Sequence, residues 1–236
     1  MDIQKRSVIT IDGLAASGKS TLAKLLAREL GFLHVNTGLL YRASALLALK
    51  ENIKAEDSAG LVSLLNHHSL SFDYSPKEGS RLLIDGVDST EDLQTQEVAS
   101  FTSKIAVVPE LRNALNVFQI EAFSGKPIVV EGRDTGTVIF PKATVKFFIE
   151  GDPLVRASRR ARDLKRHLSE AELEQVTLSV AEDLRERDAR DTAREFAPLK
   201  RASDAIVIDN SIGELSETVR KMVEEVKRKV DKAHYT

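Results

Sequence analysis

The sequence predicts an α/β protein: a five-stranded parallel sheet with helices on both faces. Three observations point there. Short, β-branched, nearly unbroken apolar segments recur along the chain, the pattern of strands buried on both faces. Stretches with leucine and alanine at helical spacing separate them, as crossover connections between parallel strands require. Glycines and polar residues follow the apolar runs at once, at the carboxyl edge where such sheets gather their chemistry.

Taken in order, Ser7 to Asp12 reads as the first strand. Gly13-Leu14-Ala15-Ala16-Ser17-Gly18-Lys19-Ser20 follows it, and Thr21 to Leu30 is a helix stopped by Gly31. Leu33 to Val35 is the second strand, ending at Asn36-Thr37-Gly38. Ser69 to Asp88 alternates polar and apolar residues (Leu70, Phe72, Tyr74, then Leu82, Ile84) around a turn at Ser75-Pro76-Lys77-Glu78-Gly79. Asp85-Gly86 marks a second turn, so an antiparallel hairpin or small meander is inserted here. One helical stretch is expected over Glu97 to Ser124. Pro127 to Glu131, Val145 to Ile149 and Ala205 to Asp209 supply the remaining strands. Pro153 to Arg194 is helical, highly charged and short of apolar anchors, with only Leu154, Ala157 and Ala161 at its start. Leu215 to Lys232 is an amphipathic helix with Val219, Met222, Val223, Val226 and Val230 on one face.

Composition sets outer bounds. With 236 residues the chain is long enough to bury a full core as one domain. A net charge of −2 offers no basic field for nucleic acid or an anionic membrane surface. The absence of cysteine excludes disulfides, thiolate metal sites and a cysteine nucleophile. The histidines His34, His67, His68, His167 and His234 show no metal-ligand spacing. No apolar stretch is long enough to span a bilayer, and the run after Lys5-Arg6 breaks at Asp12, too early for a signal peptide. A cytoplasmic location is expected.

Residues 13–20 fit G-x-x-x-x-G-K-[ST] in its required strand–loop–helix setting. Backbone N–H groups of Gly13, Leu14, Ala15, Ala16, Ser17 and Gly18 can wrap a phosphate chain, and the helix N-terminus at Ser20 and Thr21 adds partial positive charge. Lys19 can reach β/γ-phosphates and the Ser20 hydroxyl can ligate Mg²⁺. The fold expected is thus a phosphate-loop (P-loop) NTPase, binding a nucleoside triphosphate. Arg156, Arg159 and Arg160 share one helix face, and Arg187, Asp191 and Arg194 follow i, i+4, i+7 on another segment. Such clusters are either solvated surface, salt-bridged to Glu182, Asp183, Glu186 and Asp188, or charge neutralisers on a mobile lid. Gly132-Arg133-Asp134-Thr135-Gly136-Thr137 follows a strand and either lets the backbone approach a ligand closely, with one phosphate donor and one acceptor in Arg133 and Asp134, or is a tight salt-bridged turn. No Asn-Lys-x-Asp reads guanine, which argues against a GTPase switch. A nucleotide-binding regulatory module would not need the second set of arginines or Asp134.

Five stretches carry a family resemblance: residues 9–20, Asn36 to Arg42, Thr95 to Ala99, Glu131 to Pro141, and Arg185 to Asp191. Together they resemble the bacterial cytidylate kinases, nucleoside monophosphate kinases, over nearly the whole chain. The run Gly-Arg-Asp-x-Gly-Thr-x-x-Phe-Pro is the specific part. The resemblance implies one kinase domain over 1–236, with a core of 1–37, 106–150 and 195–236. It also implies a monophosphate-binding region with a β insert at 38–105 and a lid at 151–194. It implies that Ser103, Arg112 and Asp134 read cytosine, with Arg187 and Asp191 near the ribose. Arg42, Arg133 and Arg194 would hold the acceptor phosphate, beside Thr37 and Tyr41, while Arg156, Arg159 and Arg160 close over ATP. The expected reaction moves the γ-phosphoryl group of ATP to CMP or dCMP with Mg²⁺. UMP or another small acceptor is the alternative, and the chain is expected to act as a monomer. Asp12 or Glu131 would orient the metal's waters. Two departures stand out: Leu14 and Ala16 replace the usual Pro and frequent Gly, and Asn36 replaces Asp. Ala16 is expected to keep a negative φ.

Overall fold

The computed structural model describes residues 7–75, 79–164 and 169–233. Five strands form the parallel sheet: β1 (Val8–Gly13), β2 (Leu33–Asn36), β6 (Ile128–Gly132), β7 (Val145–Glu150) and β8 (Ile206–Asp209), in the order β2-β6-β1-β7-β8. Central β1 is flanked by β6 and β7, with Ile9 in register with Val129 and Val145. The strand assignments from sequence hold throughout.

Alternation within the strands assigns the faces. Ile9, Ile11, Val129, Val145, Phe147 and Ile149 pack against α1 (Lys19–Leu30) and α8 (Leu215–Ala233). Val219, Met222, Val226 and Val230 of α8 are buried there, contributing about 1.5–3 kcal/mol each. The opposite face is different in kind. Val35, Ile128 and Val130 meet Phe123, at the end of α5 (Pro109–Ala122), and Phe72 of the inserted hairpin. Nearer the carboxyl edge, a π-type turn over Thr135–Ile139 covers β1.

A second apolar cluster lies beside the sheet. It joins α2 (Gly38–Lys50), α3 (Ser58–His67), α4 (Gln96–Ile105) and α5 with β3 (Leu70–Ser75) and β4 (Gly79–Ile84). β3, β4 and the short β5 (Val87–Asp88) make the antiparallel meander expected from the alternation. The turn at residues 76–78, and His167 and His234, lie outside the described residues.

Two expectations need correction. The stretch from Glu97 to Ser124 is two helices, because Pro109 sits in the first turn of α5 and biases Val108 to an extended conformation. The charged segment forms α6 (Pro153–Leu164) and α7 (Glu170–Ala193), and it is better anchored than its sequence suggests. Ala157, Ala161, Val180 and Leu184 form a small apolar cluster with Ala15, whereas Leu154 is exposed. Small alanines let the helices approach closely, and the anchors on α7 come late in the segment.

Candidate active site

At the carboxyl edge of the sheet the loop after β1 turns into α1. A side chain at Gly13 would run into the Ile149 carbonyl of the neighbouring strand. Gly18 adopts a left-handed conformation with φ 85° and begins α1 with no side-chain cap and no acidic first turn. The first-turn N–H groups are thereby left for an anion. Ala16 also has positive φ, 55°, contrary to the negative value expected of it. Tertiary contacts on its neighbours Ala15 and Ser17 override its local preference.

Lys19 is buried, and its Nζ donates to the Leu14 carbonyl at 2.8 Å. Burial, reinforced by the Arg133 charge, pushes its pKa well below the ordinary lysine value. Ser20 Oγ donates to Glu131 Oε2 at 2.5 Å, and the other carboxylate oxygen lies 3.1 Å from His34 Nε2. Between the two carboxylates left open by sequence, Glu131 is the one at the serine. Asp12 instead accepts from the Thr135 and Gly136 N–H groups and the Thr135 hydroxyl, at 2.7–2.9 Å. It folds the 135–139 turn onto β1, and burial raises its pKa against those hydrogen bonds.

Across the cleft, Arg112 and Asp134 form a buried pair at 2.7 Å. Arg112 also donates to the Ala106 carbonyl at 2.9 Å and lies over the Tyr41 ring, 5.2 Å from its centroid. Asp134 therefore pairs with Arg112 and not with its neighbour Arg133. Arg133 instead donates to Asp191 at 2.9 Å, and Arg194 donates to the Asp191 carbonyl at 3.1 Å. Burial works against the Asp191 charge, but Arg133, Arg194 and Arg187 outweigh it and hold its pKa below the usual range. Burial pushes the Tyr41 hydroxyl up to about 12.

One cavity of about 510 Å³ joins both sides. Its lining includes Ala15, Ala16, Gly18, Lys19, Ser20 and Thr21 from the loop and α1, then Thr37, Tyr41, Arg42, Arg112, Arg133, Asp134, Arg187 and Arg194, with Arg159 and Arg160 from α6. Cations outnumber the carboxylates Glu131, Asp134 and Asp163. The Arg187 side chain makes no hydrogen bond or ion pair within 4 Å among the described residues. Burial, then Arg133, Arg42 and Arg160, bring its pKa down to about 10 despite Asp191. The cavity lining therefore carries a net positive charge.

Several expected residues lie elsewhere. Gly13, Leu14 and Ser17 shape the loop without lining the cavity. Asp191 stands behind Arg133. The Ser103 hydroxyl turns back to the Ala99 carbonyl at 3.4 Å, and its neighbours Thr102 and Ala106 line the cavity in its place. Arg156 is the clearest case: it is buried against Asp188 and the Ala15 carbonyl, one helical turn short of the cavity wall. Asn36 closes a local turn ahead of α2, accepting from Gly38 N–H at 2.9 Å as an aspartate would. Residues to which motif reading assigns no such role are His34, Asp188 and Asn210, whose partners lie far away in sequence. For Asn210 the only signal is its place at a strand's carboxyl end.

The cytidylate kinase family model matches residues 9–228. A cytidylate kinase of Carboxydothermus hydrogenoformans is 37% identical over 223 residues, covering 94% of this chain and 98% of the relative. Cytidylate kinases of Caldicellulosiruptor bescii and Solibacter usitatus are 38% and 39% identical, each covering 93% of this chain and 95% and 93% of the relative.

Proposed function

The chain belongs to the cytidylate kinase family, and from that premise we propose that it transfers the γ-phosphoryl group of ATP to the phosphate of CMP or dCMP. The products are ADP and CDP or dCDP. The observation that carries this reading is the single cavity with a phosphate loop at one end, an Arg112–Asp134 pair at the other, and uncompensated arginines between.

An oxygen of the CMP phosphate attacks the γ-phosphorus, and the bond to the β,γ-bridging oxygen breaks as its electron pair leaves with ADP. The attacking oxygen is already anionic, so no general base is required. The protein's work is alignment, charge neutralisation and exclusion of water. The loop N–H groups other than that of Ala15, which Asp188 takes, and Lys19 hold the β- and γ-phosphates. Arg42, Arg133 and Arg194 hold the acceptor phosphate, with Arg159, Arg160 and Arg187 around the transferring group. Asp191 keeps Arg133 and Arg194 aimed. Thr37 lines the acceptor side. Arg112 donates to the cytosine ring acceptors and Asp134 accepts from its amino group, against the Tyr41 ring. α6 and α7 form the lid.

Mg²⁺ suits the hard oxygen donors of Ser20 and Glu131, which meet beside the loop, and when bound it neutralises charge on the β- and γ-phosphates. Glu131 in turn is held by His34. The test is a coupled ADP assay across CMP, dCMP, UMP, AMP and GMP. CMP or dCMP is expected to lead by well over tenfold in kcat/KM. A profile led by UMP would move the assignment to the alternative acceptor, and ADP release indifferent to any monophosphate would overturn it.

A further inference from the structure

The peptide of Ala15 is gripped on both sides by residues remote in sequence. Its N–H donates to Asp188 Oδ1 at 2.8 Å, and its carbonyl accepts from Arg156 Nη1 at 2.8 Å. The same Arg156 nitrogen donates to Asp188 Oδ2 at 2.6 Å, and its Nε donates to the Gly151 carbonyl at 3.1 Å. One buried ion pair, bridging α6 and α7, thus satisfies both backbone polar groups of one loop residue. Ala15 is itself packed into the apolar contact of those two helices.

The next residue explains why such a grip matters. Ala16, with φ 55°, occupies a conformation roughly tenfold less favourable for alanine than the right-handed one. Beyond it, the Ser17 carbonyl accepts from Asn210 Nδ2 at 2.9 Å, and the Asn210 carbonyl accepts from Arg159 of α6 at 2.7 Å. The strained residue therefore lies between two fixed peptides, and both fixings lead back to the same helix, one turn apart.

We propose that the Arg156–Asp188 pair is a clamp by which the α6–α7 segment holds the phosphate loop in its left-handed turn, so that both residues position the loop for ATP. The proposal rests on the loop being the ATP site. It differs from a role in closing over phosphates, because Arg156 and Asp188 act on backbone and not on ligand. It also differs from simple bracing of two helices, because the loop conformation, and not the helix packing, is what the pair controls.

Three variants separate these roles: Asp188→Ala, Ala16→Gly, and the two combined. Binding of a non-hydrolysable ATP analogue with Mg²⁺, and separately of CMP, is measured by calorimetry beside the thermal midpoint. Asp188→Ala is expected to weaken the ATP analogue about tenfold or more, the loss of a charge-assisted hydrogen bond to the loop, and CMP by less than about threefold. Glycine has no preference against positive φ, so adding Ala16→Gly is expected to recover at least about threefold of that affinity without restoring the thermal midpoint. Equal losses for both ligands, or no recovery in the combined variant, would overturn the clamp. Where Asp188→Ala does not fold, Asp188→Asn, which keeps the side chain's size, is read by the same two criteria. Wild-type protein that does not bind the analogue would instead overturn the functional reading.

Discussion

Asp134→Asn tests the nucleobase assignment most sharply, because it changes charge and donor pattern while keeping shape. In the folded protein one carboxylate oxygen accepts from Arg112 at 2.7 Å, and both side chains are buried. The other oxygen is then the acceptor for the cytosine amino group. In the variant the single amide oxygen is claimed by Arg112, which can only donate, so the amide NH₂ turns to the base. A donor then faces the cytosine amino group, at a cost of about 1–3 kcal/mol, or roughly 5–150-fold in kcat/KM for CMP. Uracil presents an acceptor at that position, so UMP turnover is expected to rise or hold while CMP turnover falls. Weakening the ion pair to a neutral hydrogen bond costs about 1 kcal/mol of stability, a drop of about 2–4 °C in Tm for a chain of this size. The assay is coupled ADP formation with CMP and UMP at fixed ATP, beside thermal unfolding. Equal losses for CMP, UMP and ATP would refute base reading by Asp134 and leave it a structural partner of Arg112.

Lys19→Ala is expected to cut turnover below about a tenth of wild type with the thermal midpoint little changed, since its amine bonds only a loop carbonyl; higher residual turnover would contradict its role. Because burial lowers the Lys19 pKa in the free protein, bound triphosphate raises it again, so ATP affinity should fall as pH rises through the lowered value, below the ordinary 10.5. Proton uptake on ATP binding, lost in Lys19→Met, checks this by calorimetry in two buffers. His68 lies 2.6 Å from Asp85 and 2.7 Å from Glu51, and these bonds raise its pKa above 6.5. Its stabilisation is therefore full below pH 6.5 and lost as pH rises through the raised value. His68→Asn should flatten that part of the stability profile, measured by urea unfolding. Amide exchange across 153–193 is expected to slow when ATP and CMP sites are filled together by a bisubstrate analogue; equal protection in both states would make α6 and α7 fixed scaffold.

Local chemistry was legible in the sequence, and long-range pairing was not. The strands, the meander and the phosphate loop follow from periodicity and glycine spacing over a few residues. The break at Pro109 is equally local, but the apolar run through Val107 and Val108 masks it. Helical spacing puts Arg156, Arg159 and Arg160 on one face, yet that face spans more than one turn. Its first arginine meets the loop backbone while the later two reach the cavity. Asp188 looks like one more surface acid in a charged helix, and only the approach of α7 to Ala15 buries it. The conformation of Ala16 runs against its own propensity because contacts from distant segments fix its neighbours, and no local rule contains that. The pairing of Arg112 with Asp134 reaches across 22 residues; only family resemblance brought those two together in advance.

Transfer of label from γ-³²P-ATP tests the central claim most directly. With CMP present, label is expected in CDP in equal amount to the ADP formed, with little inorganic phosphate, because the cavity aligns a phosphate acceptor; Lys19→Ala is expected to lose the transfer. Label appearing in inorganic phosphate at the same rate with and without CMP would contradict the account, since water and not the nucleotide phosphate would then be the acceptor.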